Sequence, residues 1–149
     1  EIGKGKVITE GKQAAILSFG GRLQECLKAF EVLSSKGIKV TIVDARFAKP
    51  IDEKLIMEIA ANHEVVVSIE EGSVGGFGSH VMQLLSNRGV FDKGLKFRAM
   101  ILPDQFIDQD DPKKMYEKAG LDSDSIVGTI ENALNSNVVI AQNKNKNSN

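Results

Sequence analysis

Residues 64–70 read EVVVSIE, a nearly continuous apolar run that is rich in β-branched side chains. Runs of this kind are typical of central parallel strands, which are covered on both faces of a sheet. The stretch that follows, EEGSVGGFGSHV (70–81), is rich in glycine and then takes on a helical spacing of apolar residues. A strand, a glycine-rich turn and a helix in this order predict an α/β fold, and they raise the question of whether the turn binds phosphate.

Strands and helices alternate on both sides of this stretch. The predicted strands are 6–9, 14–19, 38–44, 64–70 and 95–102. The predicted helices are 22–36, 50–63, 79–89, 111–120 and 121–135. This order predicts a three-layer α/β/α domain with a five-stranded, mostly parallel sheet. Only a turn separates the first two strands, so we expect the first strand to pair antiparallel with the second.

Several residues predict where the helices begin and end. Gly37 and Gly89 follow apolar helical patterns and are expected to terminate them. Asp52 precedes one helix, and Ser79 is expected to cap the helix after the glycine-rich turn. The domain is predicted to span residues 1–136. The polar remainder, 137–149, is expected to be a disordered tail.

Composition excludes several classes of function. The formal net charge is −1, which does not favour binding to nucleic acid or to an anionic membrane. The single cysteine, Cys26, rules out an internal disulfide, and the histidines and cysteine lack the spacing of a metal site. The start, EIGKGKVITEG, has no apolar segment like that of a secretory signal and no initiator Met, so we expect a piece of a longer chain.

The glycine-rich turn does not match a known phosphate-binding motif. Its glycines fit neither the dinucleotide fingerprint G-x-G-x-x-G nor the nucleotide loop G-x-x-x-x-G-K-[ST]. Glu70 and Glu71 stand directly before the turn and would repel phosphate. The amides after Gly78 remain able to bind an anion at a helix start. The preferred interpretation is that the glycines allow close backbone approach within the chain or to a neighbouring domain.

Charged residues gather at the predicted carboxyl ends of the strands, where α/β proteins place their sites. These residues are Asp44, Arg46, Glu70, Glu71 and Asp104. Because Glu70 and Glu71 are consecutive on a strand, they point to opposite faces and do not suit a carboxylate pair. Arg46 is expected to form a salt bridge, either with Asp44 or with a carboxylate of a partner.

No other residue completes a catalytic set. His80 follows the glycine-rich turn and is interpreted as an interface or surface residue in preference to a general base. His63 ends a helix and is expected to be structural. Cys26 lies on an apolar helix face and is expected to be a core thiol. We therefore predict no catalytic, cofactor-binding or metal-binding residue in this chain.

Four blocks of sequence resemble a known family. The blocks are IGKGK (2–6), DARFAKPID (44–52), HEVVVSIEEGSVGGFGSHV (63–81) and LPDQFIDQDDPKKMYEKAGLD (102–122). They are similar to the C-terminal domain of 1-deoxy-D-xylulose-5-phosphate synthase, in the transketolase superfamily, and most similar to the α-proteobacterial form. Pyruvate dehydrogenase-type β subunits share a looser version. The resemblance runs from about residue 2 to residue 134.

The resemblance implies a function for the intact enzyme. Such a synthase condenses pyruvate with glyceraldehyde 3-phosphate, releases carbon dioxide, and uses thiamine diphosphate with Mg²⁺. Its product feeds isoprenoid, thiamine and pyridoxal synthesis. The family enzyme has three domains and forms a homodimer in the cytoplasm of bacteria; a plastid origin is less favoured. Its third domain packs against the pyrimidine-binding domain and supports the dimer, so this fragment alone is expected to be inactive and to bind no cofactor.

The resemblance also implies a set of docking residues. From the block D-x-R-F-x-K-P the residues are Asp44, Arg46, Lys49 and Pro50. From the glycine-rich turn they are Glu70, Glu71, Gly75, Gly76, Gly78, Ser79 and the adjoining His80. The expected partners are the two other domains of the enzyme and a second subunit. The alternatives are the C-terminal domain of another transketolase or of a pyruvate dehydrogenase-type β subunit, and a stand-alone module that binds an anion or nucleotide.

Overall fold

A computed structural model describes residues 1–71, 76–101 and 122–147, the last of these with side chains as far as residue 136. The predicted helix 111–120 and the strand-end residue Asp104 lie outside the described residues, as do Gly72 and Gly75 of the glycine-rich turn.

Five strands form one sheet. They are β1 (Lys6–Thr9), β2 (Ala14–Ser18), β3 (Val40–Asp44), β4 (Val65–Glu70) and β5 (Lys96–Ile101). Their order across the sheet is β1-β3-β2-β4-β5, with β1 antiparallel and the other pairs parallel. Every residue of β2 and β4 is buried, as the apolar runs predict for strands covered on both faces. The predicted fold class is confirmed.

The predicted partner of β1 was wrong. β1 pairs with β3, because both edges of β2 are taken by the parallel strands β3 and β4. To reach β2, the chain crosses the start of β3 in close contact with its backbone. A Cβ atom on Gly11 would lie 2.3 Å from the Val40 nitrogen, so only glycine fits at this crossing.

The helices cover both faces of the sheet. They are α1 (Leu23–Ser35), α2 (Glu53–Asn62), α3 (Phe77–Asn87) and α4 (Ser123–Asn147), and a 3₁₀ turn spans Val90–Lys93. One apolar cluster joins the sheet to α1 and α4, and a second cluster joins the opposite face to α2 and α3. These two cores give the three predicted layers.

Helix ends follow the sequence in most places. The Asp52 carboxylate accepts a hydrogen bond from the Leu55 N–H and so caps α2. It also accepts from the Gly5 N–H at 3.0 Å, which ties the segment before β1 to this helix. Gly37 follows α1 with φ +78°, and Gly89 follows α3 with φ +69°, which confirms both predicted ends.

The last helix enters the segment predicted to be a disordered tail. α4 extends to Asn147, whereas the side chains of 137–149 lie outside the described residues. The domain boundary at residue 136 stays a prediction. Within the described ranges, no helix is both long enough and apolar enough to cross a membrane.

Candidate functional site

The carboxyl ends of the parallel strands form one edge of the sheet. Ser18 of β2 is in register with Asp44 of β3 on one side and with Ile69 of β4 on the other. The strands therefore bring Asp44, Glu70 and the residues that follow them to one edge. We call this edge, with the loops 19–22 and 45–51 and the start of α3, the carboxyl edge.

The most buried charged group at the carboxyl edge is Glu70, whose residue is 1% exposed. Its Oε2 accepts a hydrogen bond of 2.6 Å from the backbone N–H of Gly78, in the first turn of α3. A strand carboxylate thus satisfies an amide at the start of a helix, where the helix dipole favours negative charge. The prediction that Ser79 is the N-cap was wrong, because α3 begins at Phe77 after Gly76 and Ser79 lies within its first turn.

Burial raises the pKa of the Glu70 carboxyl above that of an ordinary glutamate. The Gly78 N–H and the positive charge that His80 can carry act in the opposite direction without cancelling the burial. The ring of His80 reaches across to the loop after β3, where its Nδ1 lies 3.2 Å from the Ala48 carbonyl oxygen. Glu70 and His80 together connect β4, α3 and the loop 45–51.

Close packing explains the glycine at position 78. A Cβ atom there would lie 2.8 Å from the Ser68 hydroxyl oxygen and 3.5 Å from the Ala99 methyl group. The Ser68 hydroxyl is itself buried and has no hydrogen-bond partner among the described residues. The glycine therefore lets α3 approach β4 closely enough for Glu70 to reach its amide.

Glu71 points the other way and forms an ion pair. Its Oε1 lies 3.0 Å from Nε of Arg22, at the start of α1 on the opposite face of the sheet. The divergence of Glu70 and Glu71 agrees with strand alternation and excludes a shared carboxylate site. Arg22 was not predicted as the cation of this edge, because its place in the sequence indicates only a helix start.

The predicted salt bridge between Arg46 and Asp44 is absent. Arg46 is exposed and forms no ion pair with any residue that the structure describes. Lys49 and Pro50 are also exposed, and with His80 they line an open cavity of about 340 Å³ between the loop 45–51 and α3. The structure thus brings together three of the predicted docking residues.

His63 and Cys26 both make contacts inside the domain. The His63 ring joins three elements: Nδ1 lies 2.7 Å from the Ile59 carbonyl oxygen, and Nε2 lies 2.8 Å from that of Gly11 and 2.9 Å from the Thr41 hydroxyl. Cys26 is fully buried, and burial raises the pKa of its thiol to about 11, so the reactive thiolate is disfavoured.

Two acidic side chains at the carboxyl edge hold the domain's own elements together. Glu70 and Glu71 are both committed to contacts inside the domain. Within the described ranges, no three His, Cys, Asp or Glu side chains come together as a metal site requires. Among the described residues of this edge, the exposed Arg46 and the cavity beside Lys49 remain available to another molecule.

Residues 3–126 match the model of the family described as Transketolase, C-terminal domain. The chain belongs to this family. The fold is also similar to a solved split-gene transketolase, described as an inactive beta4 tetramer, with 32% identity and a TM-score of 0.78. A 2-oxoglutarate:ferredoxin oxidoreductase from Magnetococcus marinus shares the fold at 16% identity and a TM-score of 0.56.

This transketolase C-terminal domain is shorter than the proteins it resembles. The match to the split-gene transketolase covers 90% of this chain but 42% of the other. The match to the oxidoreductase covers 88% of this chain and 20% of the other. The chain therefore spans less than half the length of either solved relative.

Proposed function

We propose that this chain is the C-terminal domain of a 1-deoxy-D-xylulose-5-phosphate synthase and that it acts by docking to the rest of that enzyme. Membership of the transketolase C-terminal domain family supports the enzyme class. The blocks DARFAKPID (44–52) and EEGSVGGFGSHV (70–81) support the particular synthase. In this proposal the intact enzyme is a bacterial, cytoplasmic homodimer, which condenses pyruvate with glyceraldehyde 3-phosphate.

The docking role is supported most by the hydrogen bond that the Glu70 carboxylate accepts from the Gly78 N–H. The start of α3 is the place where a glycine-rich turn of this topology would bind a diphosphate. Here the Glu70 carboxylate already accepts the hydrogen bond of the Gly78 N–H, and its negative charge would repel a diphosphate. The described residues of this edge therefore do not fit thiamine diphosphate, and we assign the cofactor and Mg²⁺ to the other two domains.

The solved relative gives independent support. It is a split-gene transketolase whose tetramer is described as inactive, and the chain matches less than half of it. A domain that lacks its own catalytic groups is consistent with this description. In the synthase, the partners of this domain are the two preceding domains and a second subunit.

Complementation between separate chains tests the proposal. The partner chain is defined as the first two domains of an α-proteobacterial 1-deoxy-D-xylulose-5-phosphate synthase, expressed without its own third domain. We expect neither chain alone to release carbon dioxide from pyruvate and glyceraldehyde 3-phosphate with thiamine diphosphate and Mg²⁺ present. The mixture should do so, and a mixture containing an unrelated α/β domain serves as the control.

Two results would contradict the proposal. Full activity of the partner chain alone would remove any need for this domain. Activity of the mixture only in ketol transfer between sugar phosphates, or only in pyruvate dehydrogenation, would assign the domain to another transketolase-type enzyme. The stand-alone anion-binding alternative has less support, because the Glu70 carboxylate lies where the anion would bind.

A further inference from the structure

Arg46 has an unusual backbone conformation. It is the only non-glycine residue in the described part of the chain with positive φ, at +63°. The Phe47 N–H donates to the Ala45 carbonyl oxygen at 2.7 Å, which closes a three-residue turn around Arg46. A turn with this hydrogen bond and a positive central φ is a γ-turn of the rare, strained kind. Strain of this kind persists where the surrounding structure enforces it, and it is concentrated at functional positions.

The residues on both sides of Arg46 are fixed by the fold. Ala45 is buried in the apolar core, and its N–H donates to the Ser18 carbonyl oxygen at 2.8 Å. On the other side, the carbonyl of Ala48 lies within hydrogen-bond distance of the His80 ring. The γ-turn is therefore anchored between the sheet and α3, and it holds Arg46 at a defined place on the carboxyl edge.

Among the described residues, the charge of Arg46 has no counterpart. Asp44, two residues earlier, is half-buried and faces Lys6 in the pairing of β1 with β3. Glu71 is paired with Arg22, and Glu70 is bonded to the Gly78 amide. Arg46 is left exposed and unpaired among the described residues, although strained backbone holds it in position.

We propose that Arg46 is a preorganised docking residue that pairs with a carboxylate of the adjoining domain or subunit of the same enzyme. This inference rests on the proposed function and names the contact by which the domain docks. Holding the residue in place before docking reduces the conformational entropy that binding removes. The planar guanidinium then suits two parallel hydrogen bonds to a carboxylate.

A carboxylate fits this position better than a phosphate. Asp44 lies only two residues from Arg46, and its negative charge would repel a phosphate dianion more strongly than a singly charged carboxylate. A phosphate dianion would need more positive charge than one guanidinium, whereas a carboxylate is neutralised by one. The partner is therefore an aspartate or glutamate that becomes buried when the domain docks.

Binding to the partner chain tests the charge. We expect calorimetric titration of the partner chain with Arg46→Ala to give a Kd about tenfold or more above that of the parent. Lys39→Ala is the matched control, because Lys39 is an exposed cation next to the opposite end of β3. That variant should bind like the parent. Equal affinities for the parent and Arg46→Ala, or no binding by the parent, would overturn the inference.

Thermal unfolding of this chain alone tests the strain. Arg46→Ala and Arg46→Gly both remove the charge, but only glycine adopts positive φ without strain. We expect Arg46→Gly to have a Tm about 2–4 °C above that of Arg46→Ala. A Tm for Arg46→Gly at or below that of Arg46→Ala would show that the turn stores no strain and would overturn the preorganisation.

These readouts separate the inference from the proposed function. If the mixture lacks synthase activity but binding still depends on Arg46, the docking contact stands and the assigned reaction is wrong. If the mixture has synthase activity but binding does not depend on Arg46, the assigned reaction stands and the docking contact is wrong. Inorganic phosphate that raises the Tm of the parent but not of Arg46→Ala would assign Arg46 to a phosphate ligand and overturn the carboxylate.

Discussion

Replacing Glu70 with alanine is expected to lower the free energy of unfolding by about 2–4 kcal/mol. The substitution removes the acceptor of the Gly78 N–H and leaves a cavity between β4 and α3, where Glu70 is 1% exposed. Urea unfolding followed by circular dichroism measures the loss. Glu70→Gln is the matched control, because its amide oxygen can still accept the bond, and it should stay within about 1 kcal/mol of the parent.

The same residue gives a pH dependence with a defined sign. Because burial raises the folded-state pKa of Glu70 above that of an ordinary glutamate, the folded protein holds this proton to higher pH than the unfolded chain does. The contribution of Glu70 to the free energy of unfolding therefore falls as pH rises from about 4.5 through the folded-state pKa. Unfolding free energies measured across this range should show the parent losing stability relative to Glu70→Gln. An increase in the unfolding free energy of the parent relative to that of Glu70→Gln as pH rises would contradict the assignment.

Phe77→Ala is expected to cost about 3–5 kcal/mol, the largest loss of any substitution at the carboxyl edge. Phe77 opens α3, is 1% exposed and is among the largest fully buried side chains. Its ring stacks on Phe19, with the ring centroids 5.2 Å apart, and so joins α3 to the loop after β2. Differential scanning calorimetry should show a Tm lower by roughly 10 °C.

Two other variants in α3 serve as controls for the stability loss of Phe77→Ala. Phe77→Leu keeps most of the apolar volume and should lose much less stability than the alanine variant. Met82→Ala removes a side chain from a residue that is 43% exposed, so its effect should stay below about 1 kcal/mol. A loss for Phe77→Ala no larger than that for Met82→Ala would show that the ring does not hold α3 against the sheet.

The fold was largely predictable because its signals are local. Apolar runs in the sequence identify the buried strands Ala14–Ser18 and Val65–Glu70. Gly37 and Gly89 mark where helices end, and Asp52 marks where one begins. The partner of β1 was not predictable in this way. Strand order depends on which sheet edge is free after the other strands have paired, and this is a property of the whole chain.

The site was predictable in position but not in its contacts. The carboxyl ends of the strands follow from topology. The cap of α3 comes from Glu70 on a strand, whereas a sequence pattern identifies only local caps such as Ser79. The pairing of Arg22 with Glu71 joins residues that are 49 positions apart. The γ-turn at Arg46 depends on anchors in β2 and α3, and no residue near it in sequence signals a positive φ.

Glu70 is expected to exclude a diphosphate from the carboxyl edge and so to leave this edge free for docking. Calorimetric titration of this chain with thiamine diphosphate and Mg²⁺ measures this exclusion. We expect only the heat of dilution, with the cofactor bound by the partner chain. Saturable binding by this chain would contradict this expectation and place a diphosphate site at the start of α3, whether Glu70→Gln abolishes or enhances that binding.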